Sequence, residues 1–145
     1  MPQDRADIGT PVTEPHFALL LQAARCQPEP QRLLFVFAAA ALPDDASDEQ
    51  SARFEAGEGG ELVPVLCVDK DAHALTTFGA LAAESRQTEQ DWQVVFVAGL
   101  SGRGTQAPSE AQTEQALNDM VEAVRQGAIG RFSAYDVRGE PLSFS

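Results

Sequence analysis

The segment Gly99-Leu100-Ser101-Gly102-Arg103-Gly104-Thr105 is the part of this 145-residue chain best equipped to hold a ligand. Glycines let backbone N–H groups come close to an anion, and the Arg103 guanidinium offers paired donors to a phosphate or carboxylate. Lys70, within Asp69-Lys70-Asp71, is a second cation that a fold could bring to the same edge. The candidate ligand-binding set is therefore Gly99, Ser101, Gly102, Arg103, Gly104, Thr105 and Lys70. Spacing limits what this loop can be. Gly102, Gly104 and Ala107 match part of a dinucleotide-binding pattern, but no ribose-binding acid on a second strand follows about 20 residues later. No lysine followed by serine or threonine completes a phosphate loop. The plain alternatives are a Gly/Ser connection and, for Asp69 to Asp71, a turn with Asp71 as helix N-cap.

Other reactive residues do not assemble into a centre. Cys67 lies in an apolar run and is expected to be buried, whereas Cys26 ends a helix before Pro28 and is expected to be accessible. His16 and His73 fall near helix starts, where the helix dipole disfavours imidazolium, and read as surface residues. Between Asp44 and Glu61 lie seven acids and one base, but the run DDASDEQ lacks the alternating acids, turn glycine and distal glutamate of a calcium loop. No metal, no cofactor and no catalytic residue is expected.

The elements that must position the loop follow from periodicity. Residues 1–15 carry Pro2, Pro11 and Pro15 and read as a flexible N-terminal arm. Phe17, Leu20, Leu21 and Ala24 form one helical stripe, stopped by Pro28 and Pro30. The run from Leu33 to Ala41 reads as a strand buried on both faces. Ser47 and Gln50 fit a capping box, opening a short acidic helix that carries Phe54 inward and stops near Gly57. Leu62 to Val68 reads as a second strand, with Pro64 marking an edge or a bulge. A helix capped by Asp71 carries Leu75, Phe78, Leu81 and Ala82 to about Arg86. Trp92 to Ala98 is a third strand, and Ser109 with Gln112 opens a helix that runs to Gly127. A hairpin turning at Arg138-Gly139 ends the chain. This alternation predicts a single α/β domain over 16–145: a sandwich with a mostly parallel central sheet, flanking helices and a C-terminal antiparallel hairpin.

Composition narrows the partners. The formal charge is −12, with 10 Lys and Arg against 22 Asp and Glu, the wrong sign for nucleic acid or an anionic membrane. Two cysteines cannot build a disulfide framework and suit a reducing compartment. No secretory signal or membrane-spanning run is visible, so a cytoplasmic protein is expected.

The stretches QPEPQRLLFVFAAAALPDDAS, CVDKD, ESRQTEQDWQVVFVAGLSGRG and MVEAVRQGAIGRFSAYDVRGEPLSFS resemble a family of short, acidic proteobacterial proteins that often carry the label "ribonucleotide reductase subunit alpha". The resemblance covers nearly everything after the arm and brings no assigned site residues. A reductase large subunit implies a barrel several times this length, with a thiyl-forming cysteine and a redox cysteine pair. Three thiols cannot come from Cys26 and Cys67, so reductase catalysis by this chain alone is excluded. The expectation is a noncatalytic binding or regulatory protein with an unidentified protein partner. The alternative is a small enzyme or sensor that takes a phosphorylated or carboxylated metabolite, a small anion, at Gly99 to Thr105.

Overall fold

The computed structural model describes residues 15–41, 47–55, 61–74, 77–88 and 91–142, so the expected arm lies outside the described residues but for Pro15. The elements in chain order are α1 (Pro15–Arg25), β1 (Gln31–Ala41), α2 (Asp48–Glu55), β2 (Glu61–Asp71), α3 (Phe78–Arg86), β3 (Val94–Ser101), α4 (Glu110–Arg125), β4 (Ser133–Asp136) and β5 (Pro141–Leu142). They form one five-stranded sheet in the order β2-β1-β3-β4-β5, and every neighbouring pair is antiparallel.

The mostly parallel sheet expected from the helix-strand alternation is therefore corrected. The source of the error is specific. Strands β2 and β3, joined through α3, do run in the same direction, as a βαβ reading requires. Strand β1 lies between them and runs opposite to both, so no two parallel strands are hydrogen-bonded neighbours. Alternation of elements reports the connection and not the strand inserted into the gap.

Strand β1 is apolar from Leu33 onward, and from Leu33 to Ala38 both faces are covered. Leu33, Phe35 and Phe37 face a cluster made with Phe17 and Leu21 of α1, Phe78 and Leu81 of α3, Trp92, Val95 and Tyr135. Leu34, Val36 and Ala38 face Phe96 together with Met120 and Val124 of α4. The period of two that sorts these residues is that of any strand. Helix α1 is fixed through Phe17, whose ring meets those of Phe78 and Tyr135 edge-on at 5.4 and 5.6 Å. Strand β2 is an edge strand, and its register with β1 slips between Phe37 and Ala38, beside Pro64. Pro64 thus occupies the position its missing N–H allows.

Both capping boxes form. Ser47 and Gln50 exchange side-chain and backbone hydrogen bonds at 2.8 and 3.1 Å, and Ser109 and Gln112 do so at 2.9 and 3.1 Å. The cap expected at Asp71 does not form. Asp71 closes β2 and accepts from the His73 N–H at 2.8 Å, while Thr77 caps α3 by accepting from the Ala80 N–H at 3.0 Å. The side chains of Phe54 and Leu75 lie outside the described residues. No described helix is long and apolar enough to cross a membrane.

Candidate functional site

The seven sequence-derived candidates divide into three places. Gly102, Arg103, Gly104 and Thr105 form a tight turn beyond β3. Arg103 and Gln106 exchange backbone hydrogen bonds at 2.9 and 2.8 Å, and Gly104 sits at φ 57°, where a side chain would be strained. The Gly102 N–H donates to the Pro30 carbonyl at 2.8 Å, and a Cβ on Gly102 would lie 1.9 Å from the Gln106 oxygen. These glycines thus serve the turn, and the N–H groups of Gly102, Arg103 and Gln106 are taken by carbonyls. Lys70 is elsewhere. It lies on β2 opposite Leu33, with β1 between it and β3, and its Nζ pairs with Glu84 of α3 at 2.6 Å. The structure does not bring Lys70 and Arg103 to a common hollow.

Gly99 and Ser101 are in a different situation. They belong to β3 itself, opposite Leu33 and Gln31, on the sheet face that α1 covers. Here a hollow of about 430 Å³ opens between α1 and the sheet. Leu20 and Ala24 form the helix wall, Gln31, Leu33, Val97 and Gly99 the floor, and Arg131 to Ser133 the far wall. The hollow exists because β4 begins only at Ser133, opposite Val97, and the preceding chain turns away through the bond from the Phe132 N–H to the Ile129 carbonyl. Gly99 adds no side chain to fill it.

The electrostatics of this hollow set it apart. Its described lining contains a cation and no carboxylate. Three other hollows contain Asp69, Glu110 and Glu114 with Arg32, or Glu84, or Asp119 and Glu122 with the same Arg131. In a chain of charge −12, a hollow whose described lining carries Arg131 and no acid stands out, and the same Arg131 also borders the hollow of Asp119 and Glu122. Arg131 is exposed and lies over the Phe132 ring, 5.1 Å from its centroid, and makes no ion pair with a described carboxylate.

Gln31 supplies the polar floor. It is 9% exposed, and its Nε2 donates to Ser101 Oγ at 2.7 Å and weakly to the Glu29 carbonyl at 3.4 Å. Its Oε1 lies over Gly99, 3.5 Å from where a Cβ would stand, and accepts no hydrogen bond from the described residues. Turning the amide over would exchange which atom is stranded without satisfying both. Oε1 thus faces the hollow, where a donor that enters can reach it.

The remaining reactive groups stay apart. Cys67, expected to be buried, is exposed, as is Cys26. The reason is that β2 is an edge strand, so the run LVPVLCV is only partly covered. His16 and His73 are both exposed. Arg32 is engaged with Asp69 beneath the start of α4. Among the described residues, no group of three or more His, Cys, Asp or Glu is placed to hold a metal ion.

Sequence reasoning missed Gln31 and Arg131. Gln31 was detectable: it shares the odd phase of Leu33, Phe35 and Phe37, which places its amide on a covered face. Nothing in the spacing around Arg131 marks it, since its role depends on where the chain leaves the sheet. No protein-family model matches this chain, and no curated protein or solved structure matches it significantly.

Proposed function

We propose that this chain is a noncatalytic binding domain that captures a carboxylate-bearing partner in the hollow between α1 and the β1–β3 floor. The observation that carries this reading is a described lining without an acid, with Arg131 on its wall and, on its floor, a Gln31 Oε1 that accepts from no described residue. Arg131 suits a carboxylate, Gln31 Oε1 suits an N–H or O–H donor, and Leu20, Ala24, Leu33 and Val97 suit an apolar body between them. A hollow of about 430 Å³ is at the small end of the usual range for ligand sites. In this reading the anion binds beside Gly99, and not at the turn Gly102–Thr105.

The test is a backbone amide NMR titration with N-acetyl-leucine and, in parallel, its primary amide. The carboxylate should shift Gly99, Ser101, Ser133 and residues of α1 near Leu20 and Ala24, and the amide should bind more weakly at the same place. Shifts confined to Gly102–Thr105, or none with either compound, would overturn the reading.

A further inference from the structure

The two ends of the sheet's interior are guarded differently. Edge strand β2 carries Pro64, a register slip and the charges of Asp69, Lys70 and Asp71, all features that discourage a further strand from pairing. Strand β3 has a second, partial edge. It pairs with β4 only from Val94 to Val97, so Ala98 to Ser101 have no described strand on their outer side. That stretch, Ala-Gly-Leu-Ser, bears no charge and no proline.

The register shows which groups face outward. The Gly102 N–H donates to the Pro30 carbonyl and the Ala72 N–H to the Gln31 carbonyl, so even-numbered residues of β1 bond toward β3 and odd-numbered ones toward β2. Since Arg32 pairs with Leu100 and Gln31 with Ser101, the even residues of β3 bond to β1 and the odd ones point away. Gly99 and Ser101 therefore present their N–H and C=O groups at the open edge, beside the hollow.

We infer that the partner is an extended peptide that adds a strand to this edge, in line with β4 and antiparallel to β3, and ends in a free carboxylate after an apolar residue. The inference rests on the reading of the hollow as a carboxylate site and names what fills it. Direction follows from topology. A strand running as β4 runs, but placed before it, has its C-terminus where β4 begins, beside Arg131. A residue opposite Gly99 exchanges both backbone hydrogen bonds with it and shares its sheet face, which sends an apolar side chain into the hollow over Leu33. Main-chain bonds then give affinity, and the hollow with Arg131 gives selectivity for an apolar C-terminal residue.

The experiment uses the full chain and a blocked pentapeptide of alternating threonine and valine ending in leucine with a free carboxylate. It is compared with N-acetyl-leucine, with the C-terminally amidated peptide, and with a peptide N-methylated at the residue that faces Gly99. The pentapeptide should bind at least about tenfold more tightly than N-acetyl-leucine, and either modification should remove about tenfold. Binding of N-acetyl-leucine without any gain from the longer peptide, or indifference to N-methylation, would overturn strand addition while leaving the carboxylate site standing. Failure of every carboxylate to bind would overturn both. Shifts of Gly99 and Ser101 that grow with protein concentration in the absence of peptide would assign the edge to a second copy of the chain and overturn the inference.

Discussion

Replacing Gln31 by methionine should stabilise the protein, although it removes a buried polar residue and a hydrogen bond. The bond lost is that from Nε2 to Ser101 Oγ at 2.7 Å, worth about 1 kcal/mol, and Ser101 is exposed enough for water to replace the donor. The contact to the Glu29 carbonyl at 3.4 Å is too long to add much. Against this stands Oε1, which accepts from no described residue and whose removal relieves up to about 1 kcal/mol beside an open hollow, and the buried apolar length of methionine contributes about 1 kcal/mol further. The net gain is about 1 kcal/mol, which for a chain of this size raises the melting temperature by about 3 °C. Urea unfolding of wild type and variant at equal m-value measures it. The same variant should bind N-acetyl-leucine several times more weakly, a trade of stability against function expected where a site holds an unsatisfied group. A loss of stability above about 1 kcal/mol would show that Oε1 has a donor in the native protein and would remove the floor of the proposed site.

Three further outcomes follow from the packing. Phe17→Ala removes a 1%-exposed ring that contacts Phe78 and Tyr135, so it should cost about 3–5 kcal/mol in urea unfolding and loosen the helix wall of the hollow; a loss below about 1 kcal/mol would mean α1 is not packed on this face. Cys26 and Cys67 should both react rapidly with a thiol reagent in the native protein, and slow labelling of Cys67 would contradict the exposed edge strand. Burial raises the pKa of Tyr135, the only tyrosine, above its ordinary value of 10.0. Its phenolate absorbance should therefore appear at higher pH in native than in unfolded protein. The stabilising contribution is fully present below the unfolded value and is lost as pH rises through the folded one. Coincident native and unfolded titrations would contradict the burial.

Local signals in the sequence were read well where one residue settles the matter. Ser47 and Ser109 each carry the glutamine three positions on that completes a capping box, and Pro64 announces an edge and an irregularity by lacking a donor. Asp71 shows the limit of the same reasoning. Aspartate suits a turn as well as a cap, and the extension of β2 to residue 71 left capping to Thr77. Strand order was not legible, because the insertion of β1 between β2 and β3 leaves no trace in the alternation of elements. For the same reason Cys67 was misplaced: whether an apolar strand is central or at an edge depends on neighbours far away in the chain. The candidate site was half legible. Gly99 and Ser101 stand out in the sequence for their backbone and lie where β3 has no described strand beside it; Gly99 shares its hollow with Arg131, whereas Lys70 pairs with Glu84.

The central claim is that Arg131 makes the hollow select a carboxylate. A double-mutant cycle tests it most directly: affinities of N-acetyl-leucine and its primary amide for wild type and for Arg131→Gln, measured by calorimetry. Wild type should prefer the carboxylate by about tenfold, and the variant should bind the two compounds equally, as removal of a charge-assisted pair requires. A preference for the carboxylate that survives unchanged in Arg131→Gln would contradict the account.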